Sequence, residues 1–471
     1  MRAPHTEGHH PEGAGTMKVL KFGGSSLKSG ESMMSVGEII ASDNEEKVIV
    51  VSAIQGITDS LLEFMSKVRR EEEVQQFIRS LRDRHLKILA DVAGSMDVKQ
   101  TAVSQLSTQL VRLERILYGI IYLEELTPRT RDLVQSFGER MSVIMMAAML
   151  QEMGVNAIPV EADELGMITD GTYGSATVDM EGTRNNIAPK IYEMFKRQET
   201  PVVTGFFGKT HEGYITLLGR NGTDYSASVI ANAIDADSLE IWKDVDGFMS
   251  ADPKVVTGAV PIEQLSYEEA AELSYFGAKV LHPRTVEPAR AKGITIMVKN
   301  VFKPEYKGTA ISPKGVAGDM PIKSISSMPN MAMVKVYGAG LGSKSGVMSE
   351  MSTLLSDAGI IIYSAATSQT CVSMLIEERD LKRSEVVLGN AKKGVVDRVE
   401  TVRDVALLCL VGEGLGLREG VAGRVFSIVA KNGTNVGLIS AGASTVALTF
   451  TVKRKDLEKT TKTIHHEFFG G

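Results

Sequence analysis

From Met17 to about Met297 the chain alternates short β-branched runs with amphipathic helical stretches. That alternation is the strongest constraint on its fold. The strand-like runs are 18–22, 48–53, 157–160, 201–206, 214–218, 239–243 and 294–298. Many are apolar throughout, as in strands buried on both faces. Helical stretches open at Thr58-Asp59, Thr127-Pro128 and Thr223-Asp224. Thr127 reads as a cap, and Pro128 suits the first position of a helix running to Met153. The pattern predicts an α/β domain with a largely parallel sheet. Ligands in such sheets sit beyond the carboxyl ends of the strands, where the glycine turns of this chain fall.

With 471 residues, two to four domains are expected. A net charge of −6 argues against general nucleic-acid binding. The two cysteines, Cys371 and Cys409, lie in no metal or redox motif, which fits a reducing cytoplasm. The longest apolar stretches, such as 141–150, are too short to span a membrane. Residues 1–16 are rich in Gly, Pro and His without periodicity and read as a disordered tail, not a signal peptide.

Six segments carry candidate chemistry. Lys21-Phe22-Gly23-Gly24-Ser25-Ser26 ends the first strand; its glycines admit backbone N–H groups to an anion and Lys21 adds a positive charge. It lacks the spacing of a Walker loop. Ser52 to Asp59 follows the second strand as another anion-compatible turn, or as a plain helix cap by Thr58. Gly138, inside a helix and beside Glu139, implies close packing or a break, because Gly there costs about 1 kcal/mol against Ala. In Leu217 to Asp224, Arg220 suits a carboxylate and Asp224 an ammonium group, together a grip for an amino acid; the plain alternative is a capped turn. Trp242 to Lys254 is an acidic loop after a strand that could line a nucleotide site, where Asp244 and Asp246 could also serve hydrated Mg2+. Phe276 to Pro283 adds Lys279, and His282 there reads as structural.

Two lysines at glycine turns and no nucleophile–base triad suit phosphoryl transfer to a carboxylate. Such a nucleophile, with a pKa of about 4, is already ionised at neutral pH and needs no general base. Positioning and positive charge then supply the catalysis.

After a Gly/Pro/Ser/Lys-rich span, 308–330, comes an internal repeat. Gly338, Gly340, Gly346 and Gly359 match Gly412, Gly414, Gly420 and Gly433 at one constant offset. Each copy reads as strand, glycine loop, helix and two more strands, a βαββαβ unit. Two copies suit a regulatory or dimerisation module better than a solenoid.

The ordered segments KFGGSS, SAIQGITD, FGER, GRNGTDYSA, WKDVDGFMSADPK and LSYFGAKVLHPRT resemble aspartate kinases, and the repeat resembles the tandem ACT domains of that family. The resemblance implies an α/β amino-acid-kinase fold, an αβα sandwich with a mostly parallel sheet, followed by two ferredoxin-like α+β ACT domains. The expected division is a tail (1–16), a catalytic domain (17–307), a linker (308–330) and ACT units at 331–402 and 403–471. The implied reaction moves the γ-phosphoryl group of ATP, carried with Mg2+, to the β-carboxylate of L-aspartate. It is the first step toward lysine, threonine and methionine.

By resemblance Lys21 and Asp224 are catalytic. Lys21, Phe22, Gly23, Gly24, Ser52, Lys243, Asp244, Met249, Lys254, Lys279 and Val280 face ATP. Thr58, Glu139, Arg220, Asn221, Gly222 and Thr223 face aspartate, with Glu139 and Asp224 suited to its ammonium group. No resident metal site is expected. The implied effector pocket holds Leu341, Gly346, Val347, Met348, Ile362, Thr367, Ser368 and Gln369. Tyr363 stands where lysine-sensitive members often carry an acid, which points from lysine toward threonine. A cytoplasmic, monofunctional homodimer joined through the ACT units is implied, without nucleic-acid or membrane partners. Ser25, Lys243, Met249 and Lys254 replace the more usual Thr, Thr, Tyr and Arg, and Asn221 replaces a frequent Gly. A kinase for another carboxylate, such as N-acetylglutamate or glutamate, and a catalytically dead amino-acid-sensing subunit are the competing readings.

Overall fold

The computed structural model describes residues 16–470 except 44, 279, 314–320, 340, 344, 390–395 and 417. The tail 1–15 and Lys279 therefore lie outside the described residues. The chain divides into two compact units. One comprises Met1–Phe248, Glu263–Tyr267 and Val280–Lys314; the other comprises Met249–Ile262, Glu268–Lys279 and Gly315–Gly471.

The first unit is built on ten strands: β1 (Met17–Phe22), β2 (Glu46–Val51), β3 (Ala157–Val160), β4 (Thr200–Thr204), β5 (Phe207–Lys209), β6 (Ile215–Leu217), β7 (Ser238–Lys243), β8 (Gln264–Ser266), β9 (Thr295–Asn300) and β10 (Thr309–Ser312). Eight form one sheet in the order β3-β4-β2-β1-β7-β9-β10-β8, and β5 and β6 form a separate hairpin. Within the large sheet every pairing is parallel except β9 with β10. All seven sequence-derived strands are present within a few residues. The short β5, β8 and β10 were not legible.

Alternation along β1 sends Leu20 and Phe22 to one face and Lys21 to the other. Leu20, Phe22 and Trp242 join a core with the helices, and Phe22 stacks on Trp242 at 6.0 Å. Full burial of each such side chain contributes roughly 1.5–3 kcal/mol. The helix Pro128–Glu152 is capped by Thr127 as expected and is buried almost continuously from Ser136 to Leu150. It runs through Gly138 without a break.

The second unit holds a six-stranded antiparallel sheet: β11 (Ser324–Tyr337), β12 (Ser364–Thr367), β13 (Cys371–Glu377), β14 (Arg398–Val411), β15 (Ile439–Ala441) and β16 (Ala447–Lys453), in the order β12-β13-β11-β14-β16-β15. The repeat is visible in the backbone. Gly346 and Gly420 precede equivalent helices with φ of 84° and 80°, and Gly359 and Gly433 follow them with φ of 67° and 71°.

The expected boundaries are corrected here. β11 and β14 each serve both halves of the sheet. Residues 324–328 pair with 407–411, while 331–337 pair with 371–377 and with the start of β14. Ile322 and Ile325 pack in the core of Leu408, Val425, Phe450 and Ile464, although they precede the first repeat. The changeover is a pair of register shifts, one at Pro329-Asn330, where proline has no N–H to lose, and one on β14 between Val402 and Val405, where Asp404 adopts φ 57°. Cuts at 330/331 and 402/403 would sever both strands. The span read as a linker contains β10 and the start of β11. Among the described residues there, Gly308, at φ 72°, precedes β10, and Pro329 sits at a bulge in β11.

The second unit also takes in 249–262. Ser324 Oγ donates to Met249 O at 2.7 Å, Ala251 bridges to Ile325, and Ser250 Oγ lies 2.8 Å from His465 Nε2 on the terminal helix Leu457–Phe469. Buried Glu269 pairs with Lys323 at 2.8 Å and accepts the Glu413 N–H at 2.6 Å.

Candidate active site

The site of the first unit forms at the carboxyl ends of β1, β2 and β7. β1 lies between β2 and β7, so Lys21 emerges at mid-sheet, in register with Val50 and Ile241. It is 6% exposed, and its ammonium group stands 2.6 Å from Asp224 Oδ1. Asp224, 2% exposed, lies in the first turn of the buried helix Gly222–Ala233. Its other oxygen receives Lys243 Nζ at 2.8 Å. Burial alone would raise the Asp224 carboxyl, but Lys21 and Lys243 together hold it down at about 2. Burial pushes the Lys21 ammonium down, against the opposing pull of Asp224. Both oxygens of Asp224, read from the sequence as suited to a substrate ammonium group, face ammonium groups of the chain itself.

The first two turns interlock. Gln55 N–H donates to Gly24 O at 3.2 Å, and Ser52 N–H donates to Phe22 O at 3.2 Å. A Cβ on Gly24 would lie 2.6 Å from Ala53 O, so only glycine permits this approach. The helix after the second turn spans Ile57–Lys67 with Gly56 at the cap position. Thr58 is thus inside the helix and not its cap. A Cβ on Gly138 would lie 2.7 Å from Ala53 Cβ and 3.4 Å from Thr58 Oγ1. Close packing, not a break, accounts for that glycine.

This contact places Glu139 against the second turn. Its Oε1 accepts the Ala53 N–H at 3.0 Å, and its Oε2 is buried with no hydrogen-bond partner among the described residues. Burial pushes its carboxyl up to about 8, although the Ala53 N–H and the Lys21 charge pull it down. The neighbouring Arg140 points elsewhere. It pairs with Glu161 and, at 3.1 Å, Asp163, and its guanidinium lies 4.7 Å from the Phe207 ring centre.

Arg220 stands exposed on the turn after β6, with no ion-pair partner among the described residues. Asn221 adopts φ 56°, a conformation Asn tolerates. Thr223 is buried, with its methyl group against Gly205. Sequence reasoning missed the brace beneath this turn. Arg284 donates to Leu218 O at 3.2 Å and to Ala176 O at 2.7 Å while lying 4.6 Å from the Tyr225 ring centre. Its only signal was an unexplained Arg after His282-Pro283. His282 is structural, as read, and accepts the Arg284 N–H.

The acidic loop is less convergent. Asp244 is exposed, and Asp246 is held by Asn300 and by Lys303 at 2.8 Å, which makes it a loop brace and not a free metal ligand. Val280 is half-buried in the first unit. Met249 and Lys254 belong to the second unit.

In the second unit the turn Leu341–Ser343 meets the β12–β13 hairpin, where Gly342 N–H donates to Gln369 O at 3.2 Å. Leu341 and Val347 are buried, Ile362 is half-buried, and Met348, Thr367, Ser368 and Gln369 are exposed. Gly342, absent from the sequence reading, is required here because a Cβ would lie 2.7 Å from Ser368 O. Tyr363 donates its hydroxyl to Glu377 Oε1 at 2.9 Å.

A deep Lys–Asp–Lys cluster beside a buried carboxyl group is a place to bring anions together. Comparison with known proteins identifies the chemistry. Residues 16–300 match the amino acid kinase family, and residues 326–388 and 408–468 each match an ACT domain. Chloroplastic aspartokinase 1 of Arabidopsis thaliana is 32% identical over 465 residues, 96% of this chain and 80% of that one. The chain belongs to the aspartokinases of the amino acid kinase family.

The crystal structure of E. coli aspartokinase III in complex with aspartate and ADP, an R-state, matches with a TM-score of 0.80 at 26% identity, covering 96% of this chain and 100% of that one. The T-state of the same enzyme, with lysine and aspartate, matches with the same score and identity over 96% and 99%. As an aspartokinase the chain transfers phosphate from ATP to the aspartate side-chain carboxylate, the entry step to lysine, threonine and methionine, under feedback control through its ACT domains. No helix among the described residues is long and apolar enough to cross a membrane.

Proposed function

We propose that Lys21 carries the transfer step, held by Asp224, and that Glu139 and Arg220 select aspartate. The observation supporting this most directly is the Lys21–Asp224 pair, 2.6 Å apart at the end of β1. A β-carboxylate oxygen of aspartate forms a bond to the γ-phosphorus. The bond from that phosphorus to the β–γ bridging oxygen breaks, and its electron pair leaves with ADP. No proton moves in this step. Lys21 offsets the charge on the transferred group, and fixed positive charge of this kind acts strongly in a buried site.

Arg220 would take the α-carboxylate in a forked contact, and Glu139 Oε2, without a partner among the described residues, would take the ammonium group. Thr58, Asn221, Gly222 and Thr223 flank them. Phe22, Gly23, Gly24, Ser52, Lys243, Asp244 and Val280 would face the nucleotide. The assignments of Met249, Lys254 and Lys279 rest on the resemblance alone. Mg2+ would arrive on ATP, because Asp224 is committed to two lysines and Asp246 to Asn300 and Lys303.

Tyr363, with its hydroxyl on Glu377, supplies no negative charge of its own for an ε-ammonium group, which favours threonine over lysine as effector. A homodimer through the ACT sheet would use its edge strands, β12 and β15, where backbone N–H and C=O groups face outward. Free Cys371 and Cys409 suit a reducing cytoplasm.

The test is Arg220→Ala, with kinetics in both substrates. KM for aspartate should rise at least tenfold more than KM for ATP; equal changes would contradict the assignment. Titration with threonine and lysine, each alone, names the effector, and sedimentation reads the assembly.

A further inference from the structure

We propose that Lys243 is a second catalytic cation, which acts with Lys21 on the transferring phosphoryl group. This goes beyond a nucleotide contact and rests on the placing of Lys21 at that group. Along β7, Ile241 and Lys243 share a face, and Ile241 is in register with Lys21. The intervening Trp242 turns to the opposite face, against Phe22. The two lysines therefore rise on the same side of adjacent parallel strands. They converge on one buried carboxylate, Lys21 on Oδ1 at 2.6 Å and Lys243 on Oδ2 at 2.8 Å.

Charge accounting gives Lys243 its purpose. Asp224 is fully ionised, so paired with Lys21 alone it would leave the pair neutral. A neutral pair cannot offset the charge that develops on the transferring phosphoryl oxygens. Lys243 restores a surplus of one positive charge among the described members of this cluster. Asp224 meanwhile keeps the two ammonium groups from repelling each other out of position. When a phosphoryl group enters, both lysines have N–H donors to give it, because each ammonium carries three. A solvated lysine at a strand end would not be held this way; this side chain is 16% exposed and oriented by a carboxylate that is 2% exposed.

The test uses the full chain with Lys243→Met and Lys243→Thr, two neutral replacements of different shape, and Lys243→Arg, which keeps the charge. Three quantities are read: kcat for aspartate-dependent ATP turnover, the affinity for MgADP, and the affinity for MgADP with aluminium fluoride and aspartate, a mimic of the phosphoryl group in flight. Each neutral variant that folds should lose about 100-fold in kcat, the scale for one preorganised donor. It should lose affinity for the fluoride complex by a similar factor and bind MgADP within about twofold of wild type, since the contact strengthens only as charge develops. Arginine should recover most of both losses. Unchanged kcat, or equal losses for MgADP and the fluoride complex, would overturn the proposal. So would an arginine variant as impaired as the neutral ones. A wild-type chain that makes no aspartyl phosphate would instead overturn the assignment beneath it, so the two failures are distinguishable.

Discussion

Glu139 accepts the backbone N–H of Ala53 at 3.0 Å and leaves its second oxygen buried, without a hydrogen-bond partner among the described residues. This contact joins the turn after β2 to the middle of a buried helix, and it leaves a proton on Glu139 at neutral pH. Burial holds the carboxyl at about 8, far above an exposed glutamate. An incoming ammonium group favours the ionised form, so aspartate should displace that proton. Calorimetric titration at pH 7 in two buffers of different ionisation enthalpy should show about one proton released per aspartate bound. Glu139→Gln should bind weakly and release none.

The same shift fixes a stability trend. The folded state holds the Glu139 proton more tightly than the unfolded chain. Its contribution is therefore full below the unfolded value of about 4.3 and is lost as pH rises through about 8. Glu139→Gln should melt higher than wild type at pH 9 and close to it at pH 5. The reverse order would show that the carboxyl is ionised in the free protein.

Gly138 and Gly119 make a matched pair of helix glycines. A Cβ on Gly138 would press on Ala53 at 2.7 Å, whereas one on Gly119 meets nothing within 4 Å. Gly119→Ala should stabilise by about 0.5–1 kcal/mol. Gly138→Ala should destabilise by about 1–3 kcal/mol and raise KM for aspartate, because the helix carrying Glu139 must shift. Urea unfolding and steady-state kinetics check both.

Asp224→Asn removes the one negative charge between Lys21 and Lys243. Two ammonium groups then face each other across a neutral amide. Removing one partner of a buried pair costs about 3–5 kcal/mol, and kcat should fall at least about 100-fold. A stable, active asparagine variant would show that the cluster is incidental.

Much of the first unit was legible because its signals are local. β-branched runs mark the buried parallel strands, and Thr127-Pro128 fixes a helix start one residue apart. The constant offset between glycines at 346 and 420 gave the repeat, and the backbone repeats there too. What was not legible depends on long-range pairing. The lysine pairing of Asp224, read from the sequence as catalytic by resemblance and as suited to an ammonium group, was hidden because its partners come from β1 and β7, which only the sheet brings beside it. The exchange of β11 and β14 between the two halves was hidden for the same reason. Pro329 reads locally as a linker residue, and only pairing shows it to be a bulge within a strand. Arg284 had no readable role until the turn it braces was in place.

Ser250 and His465 offer a test in the second unit. The serine hydroxyl meets His465 Nε2 and accepts the Val260 N–H, each at 2.8 Å. Ser250→Ala leaves the buried His465 ring and the part-buried Val260 N–H without that partner, a loss of about 1–3 kcal/mol. Amide exchange should speed up in 249–262 and in the terminal helix, with little change along β13. Uniform exchange across the unit would contradict this tie.

The most direct measurement is ATP turnover with L-aspartate in hydroxylamine, which traps an acyl phosphate as its hydroxamate, for the wild-type chain and Lys21→Ala. Aspartate β-hydroxamate from the wild type, with at least a 100-fold loss in a Lys21→Ala chain of unchanged melting behaviour, is the predicted result. Absence of hydroxamate from the wild type, or undiminished activity without Lys21, would contradict the account.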